Sequence, residues 1–327
     1  MKQTKIWMFT LAALGLTACS NDDDDIVRNG QQQLLPLTIT VTENPLLNPD
    51  APSQVQSTRA AVTTTSTLTA FTLDYQYERS EELQKGCNAA TKDGSGNWSA
   101  GSWPSDAGQN TRVDWYAHTD GTIVNQTNPY INFTVEELST NQKDLLVASA
   151  SGTKAETGGN LSFTFDHACT ALRFYVKKST NLNDYTLTVR NIKICNIVKQ
   201  GQYYFASATK EAYWTPGTLR SDYTLYDGTD LALGSSEYIA LDDTGAPYLF
   251  MIPQTLTAWD TSTTIASATA QTYLQIVCTL TKDAAEVYSG TAYIPFGTTL
   301  AAGMQHDVKI NIGKNSLYNA PSTKIIN

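Results

Sequence analysis

Apolar residues in this chain recur at every second position, again and again along its length. Leu35, Leu37, Ile39 and Val41 alternate with Pro36, Thr38, Thr40 and Thr42. Phe71, Leu73, Tyr75 and Tyr77 alternate with Thr72, Asp74, Gln76 and Glu78, and Val308, Ile310 and Ile312 with Lys309 and Asn311. A period of two sends successive side chains to opposite faces of a strand, so each stretch wants one buried face and one wet one. Further short runs of this kind fall at 113–117, 131–135, 143–148, 161–165, 172–176, 187–194, 203–205, 223–226, 238–241, 248–252, 273–280 and 288–296. Polar turns separate them, and only 135–142 offers a helical turn. Short strands at this spacing predict an all-β sandwich or barrel.

Two parity slips add detail. Leu161, Phe163 and Phe165 lie on odd positions, whereas Leu172, Phe174 and Val176 lie on even ones. Leu187 and Val189 likewise give way to Ile192 and Ile194. Each slip requires a bulge, bend or strand break, the first of them near 167–171. The small-residue, Gly-rich stretch 149–159 is a candidate domain boundary. Its 327 residues suit two domains, each able to bury its own core.

Charge narrows the function classes. Charged residues make up 16% and the net charge is −9, with no basic stripe, which argues against a nucleic-acid partner. Of the five cysteines, Cys87, Cys169, Cys195 and Cys278 are scattered without a Cys-x-x-Cys or a nearby His, so no metal or cofactor is expected. Cys278 shares the apolar parity of Leu274, Ile276 and Leu280 and reads as a small buried hydrophobe. Disulfide connectivity stays open.

The first 18 residues read as a secretory signal: Lys2 and Lys5, then an apolar run from Ile6 to Leu16 too short to span a bilayer. Leu16-Thr17-Ala18-Cys19 looks like a bacterial lipobox, which makes Cys19 the expected lipidation site and the outer membrane the expected anchor. Ser20 to Asp25 resembles the acidic export tag of Bacteroidales surface lipoproteins. Residues 19–59 then form a leader that holds the strand pattern at 34–42. A loose Pro/Asn/Ser/Gln segment follows, ending at Arg59-Ala60, where a protease could reach the chain. The expectation is that Leu35, Leu37, Ile39 and Val41 fill a groove temporarily, until cleavage after Arg59 vacates it. The candidate replacement is a neighbouring subunit's C-terminal segment, with Ile310, Ile312, Leu317, Tyr318, Ile325 and Ile326. The domains are expected at 60–158, completed by the strand at 34–42, and at 159–327.

Several motifs in this order resemble the fimbrillin family of Bacteroidales surface pili. They are the lipobox with its acidic tag, the Arg59-Ala60 junction, Asp144-Leu145-Leu146-Val147-Ala148, the stretch from Phe165 to Phe174, Ile252-Pro253-Gln254, and Leu300-Ala301-Ala302-Gly303 before a last strand. Cys169 departs from the aliphatic or polar residue expected there. The resemblance implies two transthyretin-like Greek-key β-sandwich domains in tandem. It also implies export as a lipoprotein, trimming after an arginine, and polymerisation by donor-strand exchange into adhesive fimbriae. The implied partners are other fimbrial subunits and host or bacterial surface ligands.

Two rival functions stand beside this one. An enzyme would need a site. His118, His167 and His306 have dissimilar surroundings, and no nucleophile, phosphate or nucleotide motif appears, so catalysis is not expected. A non-polymerising lipoprotein could instead bind glycans through exposed aromatics, for which Trp98, Trp103, Trp115, Trp214 and Trp259 are the candidates.

Overall fold

A computed structural model of the chain describes residues 34–47, 66–124, 127–207, 209–241, 248–314, 317–319 and 323–324. Cys19, Arg59, Ala60, Ile325 and Ile326 lie outside them.

The first nine strands are β1 (Pro36–Glu43), β2 (Ala70–Arg79), β3 (Glu82–Lys92), β4 (Trp98–Ser102), β5 (Arg112–His118), β6 (Thr122–Val124), β7 (Tyr130–Thr134), β8 (Leu146–Thr153) and β9 (Asn160–His167). Seven of them close a barrel in the order β1-β4-β3-β2-β5-β8-β9. Alternation places Phe71, Leu73, Trp115, Ala117, Leu161, Phe163 and Phe165 in one barrel core. Ser80 and Glu81 both take positive φ in the two-residue turn between β2 and β3, the backbone twist that a tight hairpin needs. A four-residue helix, α1 (Lys154–Thr157), joins β8 to β9. Thr153 and Glu156 cap it reciprocally at the start, and Gly158 ends it in the left-handed region.

Beyond the barrel run β10 (Thr170–Lys178), β11 (Thr186–Val198), β12 (Gln200–Tyr204), β13 (Tyr213–Pro216), β14 (Arg220–Leu233), β15 (Ile239–Ala240), β16 (Leu249–Met251), β17 (Gln254–Leu256), β18 (Tyr273–Lys282), β19 (Ala285–Pro295), β20 (Thr298–Leu300), β21 (Gln305–Ile312), β22 (Tyr318–Asn319) and β23 (Thr323–Lys324). The large sheet runs β14-β11-β18-β19-β22-β23. Strand β10 carries β15 and β16 on one side and β21, in parallel, on the other. Both expected slips are present. The first is the break between β9 and β10. The second is a bulge at Val189/Asn191, where β11 shifts register against both neighbours.

One expectation needs correction. The seam between the cores does not fall at 158/159. Strand β9 lies past that point, yet it pairs with β1 and β8 and fills the barrel with Leu161, Phe163 and Phe165; the second core takes over at Ala168. The two halves also share a sheet: β7, paired with β6, pairs on its other side with β12, which in turn pairs with β13. On β5, on β8 and at Leu145 just before it, Trp115, Ala117, Leu146 and Ala148 face the barrel core while Tyr116, Leu145 and Val147 join the second one. Burial on both faces explains the unbroken apolar run at 145–148.

Candidate assembly site

Strand β1 is the seam of the barrel. It pairs antiparallel with β4, where Ile39 stands opposite Trp98, and parallel with β9, from Thr38 opposite Asn160 to Glu43 opposite Phe165. The Thr38 N–H donates to the Gly159 carbonyl at 2.9 Å and the Trp103 N–H to the Leu35 carbonyl at 2.8 Å. Leu37 and Ile39 are 3% and 5% exposed, and Leu35 and Val41 are half-buried on the same face. The intervening Thr38, Thr40 and Thr42 face outward. The other six barrel strands are paired through β4-β3-β2-β5-β8-β9 without β1. Taking β1 away therefore turns a closed barrel into an open sheet with two new edges and an uncovered apolar strip.

Close approach is built into the slot. Gly159 has φ +87, and a Cβ there would meet the Pro36 carbonyl oxygen at 2.8 Å and Leu35 Cγ at 3.0 Å. No side chain fits between β1 and the turn that opens β9.

After β1 the chain crosses to the second half of the molecule. The Asn44 N–H donates to the Phe165 carbonyl at 2.8 Å, and its side-chain amide to Asp166 Oδ1 at 2.7 Å. Three residues later the Leu47 N–H donates to the Gly303 carbonyl at 2.9 Å, and the Gln305 N–H to the Leu47 carbonyl at 2.8 Å. Leu46 packs on the second core. A cavity of about 810 Å³ opens beside this crossing, between Asn44, Pro45 and Leu47 on one wall and Tyr203, Trp214 and Leu300 on the other. The Trp214 indole is fixed by its N–H to the Ala168 carbonyl, 2.7 Å. Burial, with the Asp166 carboxylate adding to it, pushes the Tyr203 hydroxyl well above its usual range, so it stays protonated.

Two buried His–carboxylate pairs were not legible in the sequence. His118 Nε2 lies 2.9 Å from Asp74 Oδ2, and His167 Nδ1 lies 2.7 Å from Asp144 Oδ2. All four side chains are nearly inaccessible. His118 comes from β5 and Asp74 from β2, and the partners are 44 and 23 positions apart, so no local spacing marks them. Each satisfies a polar group that two-sided burial would otherwise strand. His306 sits on β21.

The candidate replacement strand divides. Ile310, Ile312 and Leu317 are 6%, 0% and 0% exposed and belong to the core of their own half. Tyr318 pairs with Tyr293 on the edge of β19. Of the candidate tryptophans, Trp98, Trp103, Trp115 and Trp259 are buried, and Trp214 is half-buried. The premise of exposed aromatic platforms fails for the four buried ones, which pack against neighbouring rings such as Phe71, Trp115 or Tyr293, whereas Trp214 lines the cavity. Cys169, Cys195 and Cys278 are free and buried, and burial pushes the Cys195 and Cys278 thiols up to about 12.

Residues 54–325 match a family profile described as fimbrillin-like. A fimbrial protein from Bacteroides vulgatus is similar in structure, with TM-score 0.52, 17% identity, and coverage of 84% of this chain and 95% of that one. A putative cell adhesion protein from Bacteroides ovatus covers 87% of this chain and 94% of its own at 16% identity, with TM-score 0.47. Comparison with curated proteins gives no match.

Proposed function

Because the chain belongs to the fimbrillin-like family, we propose that it is a structural subunit of a cell-surface fimbria whose first strand is a placeholder. The family supports a fimbrial or adhesive role at the cell surface, a structural task rather than a catalytic one. In the finer reading, the chain is exported as a lipoprotein on Cys19 and cut after Arg59. Its leader is then exchanged for a strand of a neighbouring subunit.

One observation carries this reading: β1 completes the barrel, yet the remaining strands hold one another without it. An unpaired edge with an apolar strip is a template for a foreign strand. Leu37 and Ile39, fully buried, and Leu35 and Val41, half-buried, are together worth about 4–9 kcal/mol before ordering costs. Any replacement that supplies the same anchors gains the same term. Ile310, Ile312 and Leu317 are core, which argues against them as donor anchors. Tyr318, Ile325 and Ile326 remain candidates from that segment.

Replacing Arg59 by Ala tests the processing step. The expected product on the cell surface is an unpolymerised chain with its leader attached, read by mass spectrometry of the N-terminus and by electron microscopy. Normal fimbriae built from uncut subunits would refute the reading.

A further inference from the structure

The leader does not stop at the barrel. Asn44 is its last tie to β9, and Leu47 is hydrogen-bonded on both sides of its peptide to Gly303 and Gln305, in the second half of the molecule. The bridge is parallel, Leu47 opposite Met304. Met304 and Gln305 lead into β21, whose inner edge is taken by β10, so the leader holds the outer edge where that strand begins. Departure of the leader thus strips partners from the Gly303 carbonyl and the Gln305 N–H, and a buried or half-buried backbone group left unpaired is costly. It also removes the Asn44, Pro45 and Leu47 wall of the 810 Å³ cavity, leaving Trp214, Tyr203 and Leu300 facing an open trough.

We propose that the receiving site has two segments, the barrel slot and the Gly303–Gln305 edge with its adjoining cavity, and that one strand of a neighbouring subunit occupies both. This rests on the placeholder reading of β1. The two segments are continuous along one line, and β1 shows the direction: parallel to β9, then parallel to 303–305. The fit specifies the occupant's chemistry. Leu35, Leu37, Ile39, Val41 and Leu46 set apolar positions at i, i+2, i+4, i+6 and i+11, with a polar, non-anchoring crossing between the last two. The crossing length is fixed because the two halves are joined by the shared β6-β7-β12-β13 sheet. The second segment makes the site select a longer strand than the barrel alone requires.

Peptides copying the leader test this. Protein freed of its leader by cleavage after Arg59 is titrated with peptide 34–47 and with peptide 34–43. Binding of the longer peptide at least about tenfold tighter is the expected result, given the added hydrogen bonds and Leu46. Equal affinities overturn the two-segment site and leave the barrel slot standing. Binding of neither peptide removes the placeholder reading and this inference with it. Should leaderless protein precipitate, the full chain nicked after Arg59 answers the same question. Leu47→Pro deletes the N–H that reaches Gly303, so the nicked leader should dissociate about tenfold faster than wild type by native mass spectrometry. An unchanged rate counts against the second segment.

Discussion

Gly159 is the residue on which leader docking is most finely balanced. Its φ of +87 and the 2.8 Å approach to the Pro36 carbonyl both forbid a side chain. Gly159→Ala should cost the full-length protein about 1–3 kcal/mol in urea unfolding and loosen the leader toward proteolysis. Gly94, with open space around its position, serves as the control: Gly94→Ala should change neither. A second tie joins β2 to the loop after β4. The Tyr77 hydroxyl donates to Asp106 Oδ1 at 2.5 Å, and Arg79 reaches Asp106 Oδ2 at 2.7 Å. Burial alone would raise Asp106, but these two partners outweigh it and hold the carboxyl below its usual range. A depressed carboxylate stabilises the fold above its unfolded pKa, and that stability fades as pH falls through the folded value. Being surface-exposed, the tie is worth no more than about 1 kcal/mol. Asp106→Asn should therefore lower stability slightly near pH 7, and by less at about pH 2, below the usual carboxylate range. An equal deficit at both pH values would mean the charge is not the cause.

At the scale of the element, β1 combines a firm core contribution with a position at the seam of the barrel. Ile39→Ala should destabilise the unprocessed protein by about 2–5 kcal/mol and speed release of a nicked leader. If it left release unchanged, Ile39 would not be an anchor. The anchor parity of this strand was legible in the sequence, because Leu35 to Val41 alternate cleanly with Thr side chains that face outward. So were the bulge after Val189 and the break before Thr170, since a parity slip has few physical solutions. The partners of β1 were not legible: strand periodicity says which face is buried and nothing about which strands lie alongside. The seam was misplaced for a related reason. Gly158 and Gly159 look like a linker, yet they end α1 and admit β1 at close range. The tryptophans misled in turn, because loop-like surroundings in sequence hid the barrel interior around Trp98 and Trp103.

Over the whole molecule, the leader is a strap as well as a strand. It closes the barrel, crosses at Asn44-Pro45 and holds the edge at Gly303–Gln305. The shared sheet β6-β7-β12-β13 keeps the two halves joined when that strap goes, so the emptied site keeps its shape for a newcomer. On the proposed reading, fimbrial assembly follows from local physics, since an open barrel edge and an uncovered apolar strip are stabilised by any strand that fits both. A photocrosslinker placed at Ser99, which faces outward on β4 opposite Thr38, reads this directly. In assembled fimbriae it should capture a peptide of a neighbouring subunit, while in uncut protein it captures residues 36–43 of its own chain. Capture of the chain's own 36–43 in the assembled state would contradict the account.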